Sequence, residues 1–220
     1  MHKINKLKIA VLTSKESWFV PFSEIFVSKL KEKVLDADLF FSEDQIDDSY
    51  QIVFMLSYFK ITSETFLKKH MHNLVVHESD LPSGKGWAPL FWQVIEGKNK
   101  IPVVLFEAGS GVDDGDIYIK DYIELEGHEL HDEIRNKQAL KTIEMCEYFI
   151  DNYESISPIP QNGDESIYPK RTAKDSELDI HKSLLDQFDL LRTVNNKEYP
   201  AFFQHKNHKY ILQIVKVECE

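Results

Sequence analysis

The run His77-Glu78-Ser79-Asp80-Leu81-Pro82, with Gly86 just beyond, sets an imidazole, a hydroxyl and two carboxylates directly behind an apolar stretch. A neutral imidazole titrates at about pH 6.5 in the absence of perturbation, so it can take a proton from a reacting group near neutral pH. A second polar cluster, Gly109-Ser110-Gly111-Val112-Asp113-Asp114-Gly115-Asp116, follows the apolar run 101–106. Asp113, delivered by such a loop to His77, would orient the ring and stabilise its protonated form, which is the arrangement of a general base. Taken singly, each cluster also fits a histidine that ends a strand and an aspartate that closes its own turn.

The surrounding pattern positions these residues. Asn73-Leu74-Val75-Val76 reads as a buried strand stopped by Pro82, Ser83 and Gly84, which puts His77 at a carboxyl end, where open α/β sheets hold their ligands. Apolar runs at 7–12, 38–41, 52–56 and 101–106 predict further strands, and helical spacing predicts helices over 21–35, 64–69, 88–95 and 128–151. Extended chain is expected at 117–119 and 122–125. The alternation implies an α/β protein with a mostly parallel, doubly wound sheet covered on both faces. Two prolines and a glycine in a polar setting mark 155–164 as a linker, so 1–154 is expected as the main domain. Beyond it, 165–220 is expected as a small α+β extension, with a helix over 175–191 and strands at 199–204 and 210–217.

Charge and composition narrow the partners. The 220 residues hold 26 Lys and Arg against 37 Asp and Glu, a net charge of −11, which repels a polyanion such as nucleic acid over most of the surface. A small nucleotide-linked molecule needs only a few local cations and some backbone amides. The first loop, with Ser14, Lys15 and Trp18, suits phosphate binding by position, and Trp18 and Trp87 offer rings for stacking or for ordinary packing. Lys85 is equally a diphosphate contact or a solvated turn lysine. The start 1–6 is too polar for a signal peptide, and no stretch reaches the roughly 20 apolar residues of a membrane span. Cys146 and Cys219 have no metal-type spacing, so a reducing, cytoplasmic setting is expected. Metal ligation is not expected: in His128-Glu129-Leu130-His131 the histidines stand one residue too close for a zinc-protease helix, and His70, His72, His205 and His208 read as surface positions.

The motif His77-x-Ser79-x-Leu81-Pro82-x-x-Lys85-Gly86 with Pro89, followed by Asp113-Asp114-Gly115-Asp116, resembles the 10-formyltetrahydrofolate-dependent formyltransferases. The stretch 168–176, Tyr-Pro-Lys-Arg-Thr-Ala-Lys-Asp-Ser, resembles the opening of the carboxyl-terminal part of many members, so the likeness runs from about residue 50 onward. It implies a Rossmann-like sheet, formyl transfer from 10-formyltetrahydrofolate to an amine, His77 as the base and Asp113 as its partner. It further implies a folate slot at Leu56, Tyr58 and Ile61 and at the loop residues Val112, Asp114 and Asp116. By position it places Ser14, Lys15, Trp18, Ser79, Lys85 and Trp87 toward the substrate. The family's asparagine two residues before the histidine is Val75 here, which removes a donor to the formyl oxygen. Its usual arginine after Leu-Pro is Lys85, which keeps the charge without the bidentate fork.

Residues 85–93, Lys-Gly-Trp-Ala-Pro-Leu-Phe-Trp-Gln, are most similar to the sugar N-formyltransferases of the pseudaminic acid pathway. That likeness implies the 4-amino group of UDP-4-amino-4,6-dideoxy-N-acetyl-L-altrosamine as acceptor. The small extension is expected to pack on the first domain, over the cleft or at a homodimer interface, and the charge and the lack of a membrane span predict no nucleic-acid or membrane partner. Other readings stay open: another amine, such as a purine precursor or an aminoacyl-tRNA, or a folate- or nucleotide-sugar-binding protein without turnover, which Val75 keeps in view.

Overall fold

The computed structural model describes residues 7–33 and 35–217; the expectations for 1–6 and for Cys219 lie outside them, and the last strand, expected over 210–217, ends at Leu212. Its centre is a six-stranded sheet in the order β2-β1-β3-β4-β6-β7, built from β1 (Lys8–Leu12), β2 (Asp36–Phe40), β3 (Ile52–Met55), β4 (His72–His77), β6 (Lys100–Glu107) and β7 (Ile117–Glu124). The pairs β1–β2, β1–β3 and β3–β4 are parallel, and β6 runs against both its neighbours. The continuous apolar runs of β1 and β3 follow from their central place, where both sides of a strand are covered.

Coverage of the two faces is unequal, which refines the expectation of helices on both. The helices α1 (Val20–Glu32), α3 (Pro89–Ile95) and α4 (His131–Asn152) all pack on one face. There Phe26, Leu30, Leu90, Val94, Ile143 and Phe149 meet Val11, Phe54, Leu74 and Val103 in one core. Truncating any of these to alanine should cost about 2–5 kcal/mol. Pro21 in the first turn and Lys29 and Lys31 in the last define the ends of α1. Glu133 accepts from the Leu130 amide at 2.8 Å and satisfies one orphan donor at the start of α4. Among the described residues the opposite face carries the short α2 (Glu64–Leu67), the loop with Ile46 and Tyr50 and the turn with Leu81, and no long helix. Val75 and His77 point to that more open side.

Beyond α4 the chain forms the two-residue strand β8 (Ile167–Tyr168), which pairs in parallel with β5 (Lys85–Gly86) from between β4 and α3, and the hairpin of β9 (Ala201–His205) and β10 (His208–Leu212). Lys206 and Asn207 both adopt positive φ in its two-residue turn, the geometry that suits strand twist. The helix expected over 175–191 does not form. Only short helical turns at Ala173–Ser176 and Leu185–Gln187 and the helix α5 (Phe188–Leu191) appear. Asp179 accepts from the His181 amide, Ser183 from the Asp186 amide, and Gln187 bonds Asp179 on both backbone groups. These local bonds compete with a helical ladder. The apolar Leu184 and Leu185 are exposed. Arg192, fully buried and paired with Asp189 at 2.7 Å within this part, fastens it to the rest through Asn99 at 2.6 Å.

Candidate active site

His77 ends β4 and is 7% exposed. Its Nε2 lies 2.9 Å from the Gly84 carbonyl oxygen and 3.7 Å from Asp113 Oδ2. Both neighbours are acceptors, so Nε2 carries the proton in the neutral ring and Nδ1 holds the lone pair. The carboxylate is outside hydrogen-bond range yet inside the range of a strong ionic interaction with an imidazolium. Asp113 Oδ2 is held in place by the Gly86 amide at 2.9 Å, and the Asp113 backbone is left-handed at φ 49°.

The loop reaches His77 only by doubling back. Because β6 runs antiparallel to β4, with Val104 opposite His77 and Glu107 opposite Leu74, the chain leaves β6 near the amino end of β4. It returns over the sheet face through two close approaches. At Gly115 an added Cβ would overlap the Glu107 carbonyl oxygen, and at Gly86, φ 95°, it would press on the Tyr168 carbonyl. Asp114 accepts from the Gly111 amide at 2.9 Å and braces the turn from within.

Residues 155–164, expected as a linker, run across this loop as a strap. Ile159 exchanges backbone bonds with Ile117, and Gln161 Nε2 donates to the carbonyls of Asp113 and Gly115, each at 2.8 Å. Ser166 Oγ accepts from the Gly84 amide at 2.8 Å, and β8 pairs with β5. The strap therefore ties the histidine turn to the aspartate loop. Neither Gln161 nor Ser166 carried a signal in the sequence.

The family model described as formyl transferase matches residues 10–146, more than half the chain. The protein belongs to the formyl transferase family. It is 30% identical to methionyl-tRNA formyltransferase of Rickettsia massiliae over 169 residues, which cover 76% of this chain and 55% of that one, so it spans about half the length of the curated relatives it matches. A likely sugar N-formyltransferase from Mycobacterium tuberculosis shares the fold with a TM-score of 0.77 at 15% identity, over 97% of this chain and 99% of that chain. HypX from Aquifex aeolicus in complex with tetrahydrofolic acid aligns with a TM-score of 0.71 at 15% identity, over 94% of this chain and 37% of that one.

Where the family carries an asparagine, Val75 packs between Leu81, Val104, Phe106 and Ile117 on one side and the Leu12 and Met55 cluster on the other. Of the polar groups near enough in sequence to replace it, Asn73 donates its amide to the Leu67 carbonyl at 2.8 Å. Glu107 accepts from Tyr118 and from the Asn73 amide and faces His72. Ser79 Oγ is buried without a partner among the described residues and lines a cavity of about 210 Å³ with Gly84, Gln93 and Tyr168.

The expected folate residues fall into two groups. Leu56 is buried, and Tyr58 is half-buried, its phenol pushed up by burial and by Glu43. Ile61 and Val112 are exposed apolar side chains, and Asp114 and Asp116 are exposed carboxylates on the aspartate loop. Among the expected substrate residues, Ser14 Oγ accepts from the Phe59 amide at 2.8 Å and joins the loops after β1 and β3. Lys15 is exposed. Trp87 stands half-exposed with Phe59 at 6.0 Å and the Lys170 ammonium at 4.7 Å. Lys85 is buried in an ion pair with Glu165 at 3.0 Å, which removes it from the free cations. Trp18 packs on Phe19 and Phe22 and under the Arg135 guanidinium at 4.2 Å.

Arg135 carried no signal in the sequence beyond its helical spacing. Burial lowers its pKa to about 10, against the pull of Glu78. Glu78, next to His77, bonds Gln138, which in turn accepts from Arg135 at 2.8 Å. Burial likewise pushes Tyr168 up to about 12, with Glu96 adding to it.

Proposed function

We propose that this protein is an N-formyltransferase that moves a formyl group from 10-formyltetrahydrofolate to the 4-amino group of a nucleotide-linked amino sugar. The observation that carries the reading is the convergence of His77 and Asp113, from loops at opposite ends of neighbouring strands, in a chain of the formyl transferase family. The donor supplies an activated formyl carbon. The exposed apolar Ile61 and Val112, beside a loop rich in backbone amides, fit a flat, partly apolar ligand. His77 takes the proton of the attacking amine at Nδ1 as the new C–N bond forms, and gives it to the donor nitrogen as the old C–N bond breaks. Asp113, on the Nε2 side, stabilises the imidazolium while Gly84 and Gly86 hold both groups in register.

The net charge of −11 supports a small acceptor over tRNA. The resemblance of residues 85–93 favours a UDP-linked 4-amino-4,6-dideoxy sugar of the pseudaminic acid type. We place the folate between residues 56–61 and 112–116, and take 165–220 as an appended unit docked through Arg192. Mass spectrometry of UDP-4-amino-sugars incubated with the protein and 10-formyltetrahydrofolate tests the reading. A gain of roughly 28 Da, one amine hydrogen replaced by a formyl group with a net addition of CO, is the expected product of such a transfer. Transfer only to methionyl-tRNA would replace the acceptor. Folate binding without transfer to any amine would make this a binding protein.

A further inference from the structure

Arg135, Arg171 and Arg192 are the arginines of this acidic chain. Arg192 is tied to Asn99 and Asp189, but the other two converge on one ring. The Arg135 guanidinium lies 4.4 Å from the centroid of Phe91, and that of Arg171 lies 5.8 Å from it and 5.9 Å from Trp92. Among the described residues neither is in an ion pair with a carboxylate. The acids that act on them from nearby are otherwise engaged or distant: Asp175 accepts from Thr172 twice, and Glu78 from Gln138, while Glu198 acts on Arg135 only through space. His131, stacked on Phe91 at 5.1 Å, bonds Asp132.

Two half-buried guanidiniums that repel each other across a ring, without anionic partners, are an unfavourable arrangement unless an anion completes it. Arg135 Nε is in addition buried with no hydrogen-bond partner among the described residues. The pair also lies along the site. Arg171 follows Lys170, which covers Trp87, and Tyr168, which pairs with Gly86, the residue that holds Asp113. Arg135 reaches the residue after His77 through Gln138 and Glu78.

We propose that Arg135 and Arg171 form the cradle for the diphosphate of the nucleotide-linked acceptor, with the rings of Trp87 and Trp92 beside it for the base or sugar. This rests on the proposed function and names the residues that recognise its substrate class. Guanidiniums suit the task because their planar forks match phosphate oxygens, and a pair of them on an otherwise repelling surface admits a small dianion and not a polyanion.

Calorimetric titration of the full chain with UDP, and with uridine as a control, tests it. UDP should bind more tightly than uridine, and Arg171→Met should weaken UDP by about 10- to 100-fold while leaving uridine unchanged. Arg135→Met should act alike; if that variant melts early because Trp18 and Phe91 lose their packing partner, Arg171→Met decides alone. Undiminished UDP binding in a folded Arg171→Met protein would overturn the cradle and leave the nucleotide-sugar reading standing. No binding of UDP by the unaltered protein would overturn the cradle together with that reading.

Discussion

Replacing Asp113 with asparagine tests the division of labour in the site most directly. Asparagine keeps the shape, and its oxygen can still accept from the Gly86 amide, so the loop should stay seated by that bond and by Gln161. What disappears is a negative charge 3.7 Å from His77 Nε2. At an effective dielectric of about 20, two unit charges at that distance attract by about 4.5 kcal/mol. If half to most of the positive charge has developed on the ring in the transition state, the loss is about 2–4 kcal/mol, or about 30- to 1,000-fold in kcat. The assay is initial rate of formyl transfer at saturating amine and donor, with KM measured alongside and thermal melting as the check on folding. A folded variant whose kcat stays within about threefold of the original would refute the electrostatic argument, because about 0.6 kcal/mol is far below any charge interaction at this distance.

Two further outcomes concern what holds the site and its frame. Glu129 is buried, which alone would raise its pKa, but bonds from Lys137 and from the Glu126 and Gly127 amides bring it down to about 2 from an ordinary 4.5. A depressed carboxyl stabilises the fold fully above pH 4.5 and loses that contribution as pH falls toward 2, so Glu129→Gln should cost about 3 kcal/mol in urea unfolding at pH 7 and little near pH 2; an equal cost at both values would contradict the assignment. Gly115→Ala should displace the aspartate loop from the Glu107 carbonyl, lowering stability by about 2 kcal/mol and kcat more than Asp113→Asn does; unchanged unfolding and activity would show that the close approach relaxes freely.

Much of the frame was legible in the chain. The apolar runs of β1, β3, β4 and β6 and the helical stripes of α1 and α4 are dictated by what each must bury, and His77 and Asp113 stood out because a base and a carboxylate each followed such a run. Residues 175–191 misled for a physical reason: their apolar spacing suits a helix, but Asp179, Ser183 and Gln187 satisfy the backbone locally and no core waits beneath Leu184 and Leu185. Spacing likewise could not say that Lys85 is spent on Glu165, or that Asn73 turns away to Leu67. The sequence by itself determined the main strands and helices up to the end of α4 and which residue types could move a proton, because those depend on neighbours along the chain. The tertiary structure alone decided that the aspartate loop folds back to within 3.7 Å of the imidazole, that Gln161 clamps it, and that Arg135 and Arg171 meet over Phe91. Those pairings join residues tens of positions apart, and no local preference encodes a contact that exists only once the sheet has formed.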